Sequence, residues 1–385
     1  MTTATVTTWH DNKRHAWLLA ILPMILPLLA IGLGTTYLNP VVWYLGPIVV
    51  FLVIPLLDFF LGEDTNNPPE AVVAGLEKLK YYRYAVYAAV VMEWIGVIAS
   101  AWVIAHEHLG WVAYLGLSLT VGFATGISIN TAHELGHKNS TLERWLARFA
   151  LAPTFYGHFV VEHNYGHHLR VATPEDPATS RFGETLYQFL PRSVIGGLKS
   201  AWEIEAQRLH RRGYGVWSWR NEHLQSWAIS IILWGGLIAA WGWIVLPFLL
   251  IQGVYGFSLL EVVNYLEHYG LLRQKRSDGR YERCSPEHSW NSNHIVTNVF
   301  LYQLQRHSDH HANPTRCYQA LRHFETSPQL PAGYATMIMA AYVPPLWFAI
   351  MNPRVAQHYS GRVERVNIQP GKEGYARQVM GSLHG

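Results

Sequence analysis

Charge is scarce in this chain: only 14% of its 385 residues are Asp, Glu, Lys or Arg, against about 25% in an average soluble protein. The net charge is +3, and no basic run or nucleic-acid motif appears. That excludes a polyanion binder. Cysteine is nearly absent. Cys284 and Cys317 form no CxxC pair and no disulfide framework, so any metal ligation must fall to other residues. A small-residue cleavage site is also missing after the first apolar segment, which therefore reads as a retained membrane anchor. No internal repeat or low-complexity linker divides the chain, which predicts one integrated domain over residues 1–385. What is abundant is apolar and aromatic: 50% of residues are hydrophobic, with 16 Trp and 21 Tyr. Such aromatics suit belts at both membrane interfaces.

Apolar segments of about 20 residues, the length of a membrane-spanning helix, predict six spans. Four come early, at 16–34, 41–61, 84–104 and 111–129; Pro23, Pro27 and Pro55 fall inside them. Membrane helices tolerate such prolines. The long apolar run 227–263 is too long for one span. Breaking it at Pro247 gives a hairpin of 227–246 and 248–268 if the second helix runs on to His268. Lys and Arg alternate from loop to loop: present before 16, absent at the next turn, present as Lys78, Lys80 and Arg83, then absent again. This places both termini and the polar segments, about 130–225 and 269–385, on the cytoplasmic side as a helical cap. The fold class is thus all-α integral membrane, six transmembrane helices with a cytoplasmic cap. The apolar stretch 332–351 contains Pro344 and Pro345 and precedes a basic tail. It is expected to be packed core or a membrane-surface segment.

Histidine carries the chemistry. His307, His310 and His311 stand at i, i+3 and i+4, one turn apart on a helix; His133 and His137 at i, i+4; His163, His167 and His168 at i, i+4 and i+5. His268 ends the sixth span. Nine imidazoles at one mouth of the bundle exceed a single zinc site and match two ions with four or five ligands each. Glu134, Glu162, Glu267 and Asp309, next to these histidines, are expected to hold imidazole N–H groups. Glu93 and Asp58 lie within spans, where they must face the bundle interior. His106, His108, His10, His15 and His384 are loop or terminal, and His158 and His294 lack partners at helical spacing. The ferritin-like plan of two Glu-x-x-His motifs is not met, since only Glu134–His137 fits.

Four stretches, Asn130-Thr-Ala-His-Glu-Leu-Gly-His-Lys138, Glu162-His-Asn-Tyr-Gly-His-His168, Asn264-Tyr-Leu-Glu-His-Tyr-Gly-Leu271 and Leu304-Gln-Arg-His-Ser-Asp-His-His-Ala312, resemble the signature motifs of bacterial membrane alkane 1-monooxygenases. Tyr165 departs from the pattern, which has Arg there. The resemblance implies a non-haem di-iron enzyme that uses O2 to hydroxylate the terminal carbon of medium-chain n-alkanes. The two iron ions would be held by His133, His137, His163, His167, His168, His268, His307, His310 and His311. It also implies rubredoxin as electron donor, with a rubredoxin reductase upstream; the chain has no paired CxxC of its own. Arg170 and Arg211 are expected in a donor-docking face, and Trp43, Phe51, Phe59 and Trp94 as walls of an alkane tunnel. A desaturase or lipid hydroxylase would keep the metals and change the substrate. A zinc metalloprotease would use His133-Glu134-Leu135-Gly136-His137 alone and leave seven histidines without a role. A metal transporter would line the midplane instead.

Overall fold

The computed structural model describes residues 9–37 and 39–382; His384 lies outside them. Among the described residues the chain is helical throughout, with only isolated β-bridges. Six helices are long and apolar enough to cross a membrane. These are α1 (Ala16–Tyr37), α2 (Pro40–Leu61), α4 (Lys80–His106), α5 (Trp111–Gly136), α9 (Glu222–Trp241) and α10 (Val245–His268), with the short α3 (Glu70–Glu77) before α4. The cap adds α6 (Thr141–Leu151), α7 (Phe159–Glu162) and α8 (Leu186–Arg211). Further along come α11 (Ile295–Phe300), α12 (His307–Ala312), α13 (Tyr334–Ala341), α14 (Pro344–His358) and α15 (Glu373–Gly381).

The hairpin of spans five and six does not break at Pro247. α9 ends at Trp241 and turns through Gly242, whose φ of 84° a side chain would resist. Pro247 instead occupies the first turn of α10, where its missing N–H would have had no intrahelical partner. α9 also starts earlier than the apolar run suggests. The Asn221 side chain accepts the backbone N–H of His223 at 2.8 Å, capping the helix at the polar boundary. As expected, α10 runs unbroken to His268.

α5 is the buried centre of the bundle. It approaches α10 closely because small residues face each other. A Cβ at Gly122 would stand 2.9 Å from the Gln252 carbonyl oxygen, and one at Gly126 at 2.9 Å from that of Gly256. This is the small-xxx-small contact by which membrane helices pack without a hydrophobic driving force. Thr125 Oγ1 and Gln252 Oε1, 3.0 Å apart, close the same seam. Glu93 on α4 is buried and accepts the Ser128 hydroxyl of α5 at 2.6 Å.

Asp58, at the end of α2, reaches into the cap. Its carboxylate accepts the backbone N–H groups of Val296 (2.9 Å) and Thr297 (3.0 Å), so it caps α11 from another helix. After α11 the chain turns through Tyr302 and Gln303, both at positive φ (50° and 57°). Asn130 of α5 bolts that turn by donating to the Leu301 carbonyl at 2.6 Å. The apolar stretch around 332–351 splits at Pro344 into α13 and α14, neither as long as the roughly 20 residues of a bilayer-spanning helix; Trp347 and Met351 are buried while Leu346 is exposed.

Gly122→Val is expected to destabilise the fold by about 1–3 kcal/mol, because the new side chain meets the Gln252 backbone, which cannot swing aside, as well as the Tyr255 ring. A lowered melting temperature in detergent, with Gly75→Val (open space around its Cα) as control, checks this.

Candidate metal centre

The nine histidines converge, and they sort into two groups that sequence spacing does not reveal. His133, His137, His163, His168 and His310 form one cluster; His167, His268, His307 and His311 form the other. Within each, one ring nitrogen per residue lies within 4.8 Å of the rest. Adjacent residues part company: His167 and His168 point into different clusters, and so do His310 and His311. Each of these two segments therefore ties the clusters together, and the rings of His168 and His311 meet across the divide at 4.5 Å.

Local backbone geometry explains the sorting. His133 ends α5 and His137 caps it, one turn on. His163–His167 is a π turn, closed by the His168 N–H donating to the His163 carbonyl. In such a turn positions i and i+5 are stacked, so His163 and His168 face the same cluster. π turns recur at functional sites for this kind of re-aiming. On α12 the ordinary i, i+4 relation sends His307 and His311 together into the second cluster.

The ring nitrogens face one another at coordination distances. Nε2 of His133 and His310 are 2.9 Å apart, His163–His168 and His168–His310 3.0 Å, His163–His310 3.4 Å, and His307–His311 2.9 Å. With metal–nitrogen bonds of about 2.1 Å, ligands at right angles stand about 3.0 Å apart and tetrahedral ones about 3.4 Å. Nε2 of His137, His167 and His268 is buried with no hydrogen-bond partner among the described residues. Neutral imidazoles with inward lone pairs are what a divalent ion requires. Burial first, then the neighbouring imidazoles, pushes His163, His168, His307, His310 and His311 below the usual histidine range. The residues present fit two metal ions.

The carboxylates differ from expectation. Glu267 does reach the site: its Oε2 is 3.2 Å from His307 Nε2 while its Oε1 accepts the Tyr334 hydroxyl. Glu134, Glu162 and Asp309 hold no imidazole. Glu134 pairs with Lys138 at 2.9 Å, Glu162 with Arg170 at 2.9 Å, and Asp309 grips Arg316 through both oxygens. Each sits one residue from a ligand, and on a helix that turns a side chain about 100° away from its neighbour. The paired Glu134 also removes the general base that the metalloprotease reading requires. Glu162, deprived of water, is pushed up to about 7 by burial.

The carboxylate that sequence reasoning missed is Asp176. Its Oδ2 lies 2.8 Å from His167 Nδ1, and Thr179 donates to it. Burial would raise this acid, but the His167 imidazole and the hydrogen bonds bring it down to about 2. The His288 carbonyl, 3.2 Å from His268 Nδ1, does the same for that ring. Both contacts keep the proton on Nδ1 and aim Nε2 inward. Neither partner has a spacing signal; Asp176 lies in a loop nine residues after His167.

Below the clusters an apolar cavity of about 50 Å³ runs into the bundle. Its walls include Phe123, Leu259, Phe300 and Ile338, together with Asn130 and Leu304, each three residues before a clustered histidine, His133 and His307. None of the four expected tunnel residues lines it. Trp43 packs on Gly34 and Gly116 in the α1–α5 seam, Phe51 meets Tyr342 edge-on, Phe59 is 79% exposed on the outer surface, and Trp94 lies tilted against Phe149. Aromatic size alone does not say which face of a helix looks inward. Of the two docking arginines, Arg211 is exposed, whereas Arg170 is tied to Glu162 and Ser200. Tyr165 is exposed in the π turn, between ligand positions.

Six apolar helices carrying two buried histidine clusters at one end define a multi-pass membrane protein whose side chains are arranged to take metal. The sequence profile of the fatty acid desaturase family matches residues 109–341. The chain is 47% identical to alkane 1-monooxygenase of Acinetobacter baylyi over 94% of its own length and 89% of the other's. It is 45% identical to alkane 1-monooxygenase 1 of Alcanivorax borkumensis, with 96% and 92% covered. The hydroxylase component XylM of a xylene/toluene monooxygenase from Pseudomonas putida is 29% identical over 61% of this chain and 63% of that protein. The chain belongs to the fatty acid desaturase family and, within it, to the alkane 1-monooxygenases; it is an oxidoreductase.

Asp176→Asn is expected to weaken metal binding about 10–100-fold by releasing the His167 ring. Glu134→Gln, which touches no imidazole, is expected to leave it within twofold. Metal titration of the stripped protein compares the two.

Proposed function

We propose that this chain hydroxylates the terminal carbon of medium-chain n-alkanes to primary alcohols, using O2, two non-haem iron ions and electrons delivered by rubredoxin. The observation that carries this reading is an apolar cavity ending beneath two clusters of buried imidazoles. His133, His137, His163, His168 and His310 would hold one ion, and His167, His268, His307 and His311 the other. Imidazole suits iron, copper, zinc and nickel; zinc has no redox chemistry to offer an oxygenase, and the monooxygenase relatives favour iron. When bound, the ions supply reductive activation of O2. The protein's own part is positional. An alkane offers no hydrogen-bonding handle, so the cavity must present the chain end-on by shape.

Polar groups at the cavity wall are already engaged: Asn130 with Leu301, Thr297 with Asp58, Tyr334 with Glu267. The wall therefore behaves as apolar surface toward substrate and excludes water. Discrimination between chain lengths through such contacts is weak, about 1–3 kcal/mol per methylene. Half-buried His137 and His168 bring the first cluster nearest the surface. That is the side from which a separate donor protein, itself served by a reductase, would deliver electrons. The alternation of Lys and Arg supports the bacterial inner membrane, with both termini and the site cytoplasmic.

Elemental analysis of the detergent-purified protein is expected to give two irons per chain, and octane with O2 and reduced rubredoxin to give 1-octanol. One zinc per chain and no alcohol would overturn the reading. His268→Ala is expected to lose metal from the second cluster and to abolish hydroxylation. Ala335→Phe, which narrows the cavity, is expected to shift preference to shorter alkanes by about tenfold in relative kcat/KM, read from competing chain lengths.

A further inference from the structure

Beside the histidines lies a second cavity, which shares no lining residue with the apolar one and carries several polar side chains in its wall. Its volume is about 20 Å³, room for one or two water molecules. The rings of His163, from the first cluster, and His167, from the second, form its inner wall. Opposite them stands Glu261 of α10, buried at 4% exposure. Its carboxylate accepts the Tyr156 hydroxyl at 2.7 Å and the Ser193 hydroxyl at 2.5 Å, with the Asn264 amide at 3.4 Å. Buried His158 completes the polar lining and meets Tyr156 edge-on. Glu162 adds an oxygen, Oε2, that is buried without a partner. The outer wall is half-buried Pro177 against the glycine face of α8 at Gly196 and Gly197.

A carboxylate buried in a membrane helix is costly and is retained for a reason. Glu261 contacts no metal-ligating imidazole through its hydrogen bonds. The reaction supplies a need. Inserting one atom of O2 into a C–H bond follows R–H + O2 + 2e⁻ + 2H⁺ → R–OH + H2O: the C–H bond becomes C–O–H, and the other oxygen is reduced to water. Two protons must arrive each turnover. The apolar cavity cannot bring them, because its polar groups are already bonded within the protein. Rings from both clusters border the polar cavity, which can hold water.

We propose that this cavity is the proton-delivery site of the enzyme, with Glu261 the positioning residue: it takes a proton from solvent water entering past half-buried Pro177 and gives it up to cavity water behind His163 and His167, while the Ser193 and Tyr156 hydroxyls hold its carboxylate in place. The proposal rests on the monooxygenase reading above. Glu261→Gln keeps the shape and a carbonyl acceptor but cannot carry a proton. In the metal-loaded enzyme it is expected to retain both ions and the KM for octane while kcat falls about 10²-fold, the scale of a lost acid–base group. The solvent deuterium isotope effect should rise, and Glu261→Asp should recover part of the rate. An independent readout is the infrared difference spectrum on chemical reduction of the holoenzyme. A carboxyl band present in the native protein should vanish in Glu261→Gln.

Native kcat with an unchanged isotope effect in Glu261→Gln would overturn the proposal. So would loss of metal in both Glu261→Gln and Ser193→Ala, which would make the network purely structural. An absent carboxyl band in the native enzyme also counts against it. If the native protein fails to hydroxylate octane, the substrate reading falls, and the infrared comparison still decides the relay.

Discussion

A buried nitrogen lone pair has to face something, and nine imidazoles converging away from water set the terms for this fold. Each ring nitrogen that leaves solvent must find a partner or cost the protein stability. Among the described residues, Nε2 of His137, His167 and His268 finds no partner on its inward side. Outward partners such as Asp176 fix the rings in that attitude. A cation accepting those lone pairs would remove that cost, and so would couple metal binding to the packing of cap on bundle.

Two membrane helices and two cap segments supply the ligands, so their relative placement decides the site. α5 and α10 are held at close range by glycines facing backbone, which puts His133 and His268 at the same end of the bundle. The π turn and α12 then stitch the clusters together, because each carries a neighbouring pair of histidines split between them. Asp58 and Asn130, polar groups rising from membrane helices, hold the segment leading to α12 in place. The intramembrane polar residues thus serve the site from a distance.

The two faces of the centre divide the chemistry. On one side the wall is apolar and its few polar atoms are bonded internally, fit for a chain without functional groups. On the other lie Glu261, Ser193 and Tyr156 in a connected polar network. The two cavities thus border the centre through different residues, one set apolar and one carrying the connected polar groups.

Much of this was legible in one dimension. Six spans follow from apolar length, and with them His268 at the end of the sixth; the other eight of the nine histidines follow from spacing near the helical repeat, since a helix of 3.6 residues per turn brings i, i+3 and i+4 together whatever surrounds it. The carry-through of α10 to His268 was legible for the same reason. Tertiary structure decided the rest. Which histidine joins which cluster depends on a π turn, a hydrogen-bond register that composition does not encode. Asp176 was invisible because a loop, not a helical period, carries it to His167. Glu134, Glu162 and Asp309 looked like partners of their sequence neighbours but turn about 100° away from them toward Lys138, Arg170 and Arg316. The cavity walls likewise include Phe123 and Phe300 rather than the four aromatics expected, because the space between helices is set by packing among all of them. Sequence determines periodicity and polarity, which are local; the meeting of side chains far apart in the chain is settled only when the helices pack.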